Sequence, residues 1–350
     1  MKLFLENLER PLANWLVPSP SFAERPPASS RTEEVRVTSR LLGKKTFRFS
    51  EWCTERFLQI AGVATILIVF LIFVFLFKEG IQFFRTASPM DLIGKKVYDF
   101  YLEKEDFKIM WQAVSQIPKY SLVPLLLGSF LVAFPATVLS AIFGIGCGIY
   151  ISEIASTRSR EILKPTLEVL AGIPSVVIGF FLLAVAATFI QDLFHTKFRL
   201  NAFVGALGVA LVTFPIIVTL TEDSLRAVPK ELRDASYALG ATQWQTIWGA
   251  VVPAAVSGIS AAVILGFGRA LGETMIVLMA TGNAAIVTGN IFSSVRTMTA
   301  NIAAELGAVA HDSEHYYALF LIGSVLFTLT FVMNLVSEMI LNRMRERLRM

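Results

Sequence analysis

"VVPAAVSGISAAVILGFGRALGETMIVLMATGN", residues 251–283, holds two formal charges, Arg269 and Glu273, and widening the window to Ala250 and Val295 adds no third. How this stretch is cut decides the fold. Taken as one crossing, it belongs to a six-span protein. With "RALGE" as a turn between residues 250–268 and 274–292, it belongs to a seven-span one. A helical hairpin connects through about 2–8 residues with turn chemistry. "RALGE" offers one glycine among helix formers, whereas Thr-Gly-Asn recurs at 281–283 and 288–290 and reads as loop punctuation. The expectation is one long helix over 251–281, followed by an outer, partly re-entrant segment over 282–316. Seven spans remain the alternative.

On a helix, positions 269 and 273 share a face. Ala262, Gly266 and Gly272 lie on that side, and Ile264, Phe267, Leu271, Met275 and Leu278 populate the other. Small residues admit a close neighbour, so the charges are expected to face protein or a water-filled cavity. Each costs about 2.5–3.5 kcal/mol at mid-membrane on insertion scales. Arginine N-terminal to glutamate is the weaker order for an i,i+4 pair, so stability alone is a poor reason for it. An ion pair that fixes helix register is the structural alternative. A substrate or gate site is preferred, because guanidinium offers a planar fork of donors for oxyanions and keeps its charge.

The rest of the chain agrees with a membrane setting. Its 350 residues are 55% hydrophobic and only 17% charged, with a mean hydropathy of +0.63; soluble domains carry about 25% charge. "FLQIAGVATILIVFLIFVFLF", residues 57–77, is long enough to cross. Further spans are expected at 122–151, with a kink at Pro135, and at about 167–190, 201–220 and 317–341, with a short basic loop over 152–164. Trp111 and Tyr120 are expected as interface anchors.

Residues 1–40, rich in Pro, Ser and charge, are expected to be mostly disordered, with a short amphipathic helix over 2–10 as an option. No signal peptide is expected. Basic residues cluster around 40–56, 158–164, 226–233 and 343–349, which places both termini in the cytoplasm. The connection 78–121 holds seven basic residues on the opposite side and is the discordant loop. Cys53 and Cys147 are expected to be unpaired, inert thiols. The net charge of +4 does not suggest nucleic acid.

Residues 228–253 read "VPKELRDASYALGATQWQTIWGAVVP". The pattern predicts a helix opened by Pro229 and stopped by Gly240, then a short second helix entering the membrane. Such a knuckle can seat in a groove of another protein; an ordinary amphipathic surface loop is the alternative. The stretch resembles the coupling motif of bacterial ABC-importer permeases, Glu-Ala-Ala, three residues, Gly, nine residues, Ile-x-Leu-Pro. Asp234, Ala235 and Ser236 take the first triplet, and Gly240 and Pro253 fall in place. Asp for Glu, Ser for Ala, Ala250 for Ile and Val252 for Leu depart from it. "LKPTLEVLAGIPSVVIGFF" (163–181), "GRALGETMIVLMATGN" (268–283) and residues 294–327 resemble permeases of the phosphate importer, with Gly-Glu-Thr-Met closer to the PstC type than to the PstA type. The likeness covers about residues 118–345.

The resemblance implies an all-α membrane protein with six transmembrane helices of the ABC type I importer architecture. Residues 1–56 would be a cytoplasmic tail, 57–117 the first span and an extracytoplasmic connection, and 118–345 the permease domain with a coupling loop at 222–250. It implies a second homologous permease subunit, two ATP-hydrolysing subunits, an extracytoplasmic phosphate-binding protein, phosphate as substrate and a place in the bacterial inner membrane. It also puts Arg269 and Glu273 where the family keeps charges associated with phosphate movement. The resemblance assigns ATP hydrolysis to a partner, and consistently no G-x-x-x-x-G-K-[ST] stretch occurs. No cofactor and no metal are expected. "HDSEH", 311–315, has an i,i+4 histidine pair, yet a solvated outer loop is preferred over zinc. Glu153 and Glu168 are expected in local ion pairs. Glu305 is a candidate for the pathway, and Asn201, Thr213 and Thr219 are expected as helix contacts. An ion-coupled transporter or channel working without an ATPase stays open, as does a membrane anchor or sensor.

Overall fold

The computed structural model describes residues 49–99 and 104–347. The option of a helix at 2–10 and the disorder expected over 1–40 lie outside them. Among the described residues, six helices are long and apolar enough to cross a membrane: Trp52–Arg85, Val123–Ile154, Ser175–Phe194, Ala202–Arg226, Gln243–Leu271 and Glu314–Arg343. The chain is thus an all-α multispanning membrane protein. It divides into two units at Ile68/Val69, within the first helix. The described part of the first unit is an apolar helical stretch whose Phe57, Ile60 and Val63 point outward. Everything below belongs to the second unit.

The centre of that unit is α2 (Val123–Ile149) packed along α6 (Ala202–Arg226) and α9 (Val252–Leu271). Small residues allow the approach. Gly144 and Gly148 of α2 receive Ile217 and Thr221 of α6, and Gly266 of α9 receives Ile217 from the other side. Ser140 Oγ donates to the carbonyl of Ala210 at 2.8 Å and meets Thr213 Oγ1 at 2.6 Å. Thr213 is therefore a helix contact, as expected. Asn201 caps α6, its Oδ1 accepting from Val204 N at 3.0 Å.

The third crossing departs from expectation. The supposed basic loop forms the first half of a separate helix, α3 (Thr157–Gly172), capped by Ser156, whose Oγ accepts from Ser159 N. Pro174 forces Ile173 out of the helical region (ψ 123°), so the chain breaks there and the span starts at Ser175. This span runs α4 (Ser175–Phe181), a π-helical turn (Leu182–Ala186) and α5 (Ala187–Phe194). The fourth helix also continues past 220 to Arg226. Its added turn buries Glu222, whose Oε1 lies 3.0 Å from Lys164 Nζ and 2.8 Å from Arg226 Nη2. The loop expected over 222–250 consequently begins near Ala227.

The single helix expected over 251–281 is also corrected. It stops at Leu271, and α10 (Met275–Ala280) follows as a separate piece too short to cross. The crossing count stays at six. Residues 282–297 then run irregularly over the N-terminal ends of α6 and α2. Ala202 N donates to Ser293 O, Phe203 N to Ile291 O, and Met298 N to Ser129 Oγ. Gly282, at φ +81°, opens this path, and a side chain there would strike Ser294. Short helix α11 (Met298–Glu305) leads to α12 (Glu314–Arg347). The connection after α1 (Phe49–Gln82) holds two small antiparallel pairs, β1 (Lys95–Asp99) with β2 (Lys104–Lys108), and β3 (Trp111–Gln112) with β4 (Lys119–Tyr120).

Candidate functional site

Arg269 sits in the last turn of α9, and the break at Gly272 places Glu273 just beyond it. Arg269 Nη1 lies 3.0 Å from Glu273 Oε2. The ion pair expected from the i,i+4 spacing therefore forms although the helix ends between its members. The two side chains differ sharply in exposure, 43% for the arginine and 4% for the glutamate. The glutamate backbone is fixed from across the fold: Thr299 Oγ1 donates to Glu273 O at 2.6 Å, and Thr299 Oγ1 also meets Thr297 Oγ1 at 3.0 Å. A buried carboxylate requires a counter-charge. An arginine with one nitrogen so engaged keeps other N–H groups for an incoming oxyanion.

The second predicted site is a helix-glycine-helix knuckle. α7 (Lys230–Ala238) leads to Gly240, which adopts φ +80°, a conformation costly for residues with a Cβ. Gly240 N donates to Tyr237 O and Ala241 N to Ser236 O, closing the helix. Thr242 then caps α8 (Gln243–Thr246) in a capping box with Gln245. A π-helical turn, Ile247–Val251, joins it to α9, with Pro253 in the first turn. Ser236 Oγ meets Thr246 Oγ1 at 2.9 Å and ties the two arms together. Asp234, Ala235 and Gly240 are exposed, as is Leu239 at 90%. The knuckle thus presents an uncovered apolar tip.

Three charged groupings are absent from the sequence expectations. Glu153 pairs with Arg233, Nη2 to Oε1 at 2.9 Å, so its ion pair is long-range rather than local. Glu222 gathers Lys164 and Arg226 beside a cavity of about 340 Å³ that Glu168 and Thr219 also line. Glu305, expected near a pathway, instead anchors a closed hub. Its Oε1 accepts from Arg296 Nη1 at 2.8 Å, and its Oε2 accepts from Trp111 Nε1 at 2.9 Å and meets His315 Nε2 at 2.8 Å. The solvated loop expected for "HDSEH" holds for His311 and Asp312, which are exposed, although His311 lies against Tyr316 with ring centroids 4.6 Å apart; His315 instead turns inward, its side chain 14% exposed. Trp111 and Tyr120 are buried in the same region, their rings 5.5 Å apart. Burial, with Glu314 and Glu305 nearby, pushes the Tyr120 phenol up to about 12.

Comparison with known proteins adds to this geometry. Residues 142–346 match the family model for the binding-protein-dependent transport system inner membrane component. The chain is 31% identical over 315 residues to a probable ABC transporter permease protein, YqgH, of Bacillus subtilis (strain 168), covering 89% of this chain and 97% of that one. It is 30% identical over 256 residues to the phosphate transport system permease protein PstC of Mesorhizobium japonicum, covering 68% and 77%. Among solved structures, a chain of the MetNI methionine ABC transporter in an inward-facing conformation superposes with a TM-score of 0.51 at 15% identity, covering 64% of this chain and 95% of that one. That likeness speaks for the fold alone.

Proposed function

This chain belongs to the family of binding-protein-dependent transport system inner membrane components, and on that premise we propose that it forms one half of an ATP-driven import pathway for inorganic phosphate. It is a membrane-spanning permease subunit. The observation that carries the substrate reading is the half-exposed guanidinium of Arg269, held by the buried carboxylate of Glu273, in a chain related to phosphate permeases. Phosphate oxygens fit the planar fork of an arginine. In the resting state Glu273 holds Arg269; an arriving anion takes up the free N–H groups. The site then opens to alternate sides as the two permease halves rock.

The knuckle around Gly240 is the coupling element. Its exposed Leu239 and Tyr237 dock on one of two ATP-hydrolysing partners, which puts that end, and both termini, in the cytoplasm. A second homologous permease completes the pathway, and an extracytoplasmic binding protein delivers phosphate to the face bearing residues 282–316.

The test is uptake of radiolabelled phosphate and of sulfate by proteoliposomes holding the complete complex. Phosphate uptake that requires both ATP and the binding protein, with sulfate excluded, supports the reading. Phosphate flux through this chain without any ATPase overturns it in favour of a channel or ion-coupled transporter. Gly240→Pro supplies the docking test, since proline cannot adopt φ +80° and removes the N–H that bonds Tyr237 O. Unchanged ATPase co-purification in that variant would move the docking site elsewhere.

A further inference from the structure

Glu153 and Arg233, 80 residues apart, meet where the knuckle joins the membrane helices. A helix leaves its last carbonyls without intrahelical partners. At the end of α6 and the turn after it, Arg233 supplies them: Nη2 donates to Leu225 O at 2.9 Å and Nη1 to Val228 O at 2.6 Å. The same guanidinium grips Glu153, Nη2 to Oε1 at 2.9 Å and Nε to Oε2 at 3.3 Å. Glu153 lies in the π-helical turn Tyr150–Ile154 that extends α2. Its own carbonyl accepts from Gln243 Nε2 at 2.8 Å. Both arms of the knuckle, one on each side of Gly240, are therefore fastened to a single residue of α2, and the first arm also to α6.

The surroundings stiffen this joint. Ile149, Leu225, Val228, Ile247 and Val251 form one buried apolar cluster that joins the ends of α2 and α6 to the entry of α9. The paired side chains are only 18% and 10% exposed, which weakens solvent screening. From the far side, Arg160 of α3 donates to Ile151 O and Ser152 O, and Ser152 Oγ donates to Glu153 Oε1. By contrast, the tip of the knuckle touches little, with Leu239 exposed. A push at the tip meets its first rigid attachment at Glu153.

We infer that the Glu153–Arg233 pair is the joint that makes the knuckle and the ends of α2 and α6 move as one body, so that ATPase movement becomes helix movement. The inference rests on the reading of the knuckle as the ATPase-docking element. Both residues are positioning residues. With the joint cut, the tip still docks and ATP is still hydrolysed, but the displacement is not passed on.

The experiment uses the complete complex in proteoliposomes, with phosphate uptake, ATP hydrolysis and ATPase co-purification measured together. Glu153→Gln, and Arg233→Lys, which keeps the charge but loses the fork, should co-purify with the ATPases and hydrolyse ATP within about twofold of the parent, yet move about tenfold less phosphate per ATP. A second arm starts from a Cys53→Ser/Cys147→Ser background carrying Glu153→Cys and Arg233→Cys. Joining the new thiols with a short bis-thiosulfonate should raise phosphate moved per ATP, and reduction should lower it again. An unchanged uptake-to-hydrolysis ratio in the single variants, or a fall in uptake on cross-linking, overturns the joint. Loss of co-purification in the single variants overturns it too, because the pair would then serve docking. A parent complex that hydrolyses ATP but moves no phosphate breaks the functional reading instead.

Discussion

Arg269–Glu273 and Arg296–Glu305 are both arginine–glutamate pairs with one contact of 2.8–3.0 Å, and they behave as opposites. Around Glu305 both carboxylate oxygens are taken. Arg296 also donates to Asn283 O and Asn301 Oδ1, while Trp111 and His315 occupy the other carboxylate oxygen. Around Glu273 one oxygen meets one arginine nitrogen, and that arginine is 43% exposed against 23% for Arg296. A carboxylate engaged at both oxygens, with its arginine spread over three acceptors, stiffens the chain and leaves that pair little to offer a guest. A half-open pair keeps donors in reserve. Residue type is the same in both places; what differs is how many donors each arginine has left.

The sharpest way to break this contrast is at Arg269. Arg269→Gln should lower phosphate uptake by about a hundredfold or more, and Arg269→Lys by about tenfold, since ammonium lacks the fork. Assembly and melting temperature of the complex should barely move in Arg269→Gln/Glu273→Gln, which leaves no buried carboxylate unpaired, as read by size-exclusion chromatography and thermal unfolding. The reverse pattern is expected at the hub. Glu305→Gln leaves Arg296 without its counter-charge and should destabilise the fold by about 2 kcal/mol. Uptake per folded complex should stay within about twofold of the parent. Uptake collapsing in Glu305→Gln, or stability collapsing in Arg269→Gln/Glu273→Gln, would erase the distinction.

A smaller effect is expected between the two regions. Gly240→Ala puts a Cβ at φ +80° and should cost about 1–2 kcal/mol locally, seen as a few-fold weaker hold on the ATPases by pull-down at graded salt, with both ion pairs untouched. The smallest effect concerns Tyr120, beside the hub. Its phenol ionises at about 12 rather than near 10. A raised pKa means the neutral form is favoured in the folded state, so this contribution is complete below pH 10 and lost as the pH climbs through 12. Ultraviolet difference titration should show late tyrosinate signal, and Tyr120→Phe should reduce it by one tyrosine's amplitude.

The reach of the sequence follows from what each feature costs. Arg269 and Glu273 were legible because charge in an apolar run is expensive enough to stand out. Gly240 was legible because a glycine closing a helix has a local reason. The break at Gly272 was not: a lone glycine is tolerated within helices, and the bond that holds the bent chain comes from Thr299, beyond the next loop. Helix α3 was hidden by its charge: none of its residues is buried, and its short apolar stripe, Leu163, Leu167 and Leu170, merges with the span that follows. Glu153, Glu222 and Glu305 look like ordinary loop or surface acids until the fold brings Arg233, Lys164 and Trp111 to them. Partners of that kind are set by tertiary packing, which a single sequence does not display.

The wide turn at Ile247–Val251 has a consequence for the direction of Arg269. A π-turn carries one residue more than an α-turn, and one residue is worth about 100° of azimuth. The bearing of the guanidinium relative to the knuckle is therefore phased by that extra residue, several turns upstream. Excising Ala250 alone would keep Gly240, Pro253, Arg269 and Glu273 all present, yet swing the charge about the helix axis by more than a quarter of a revolution.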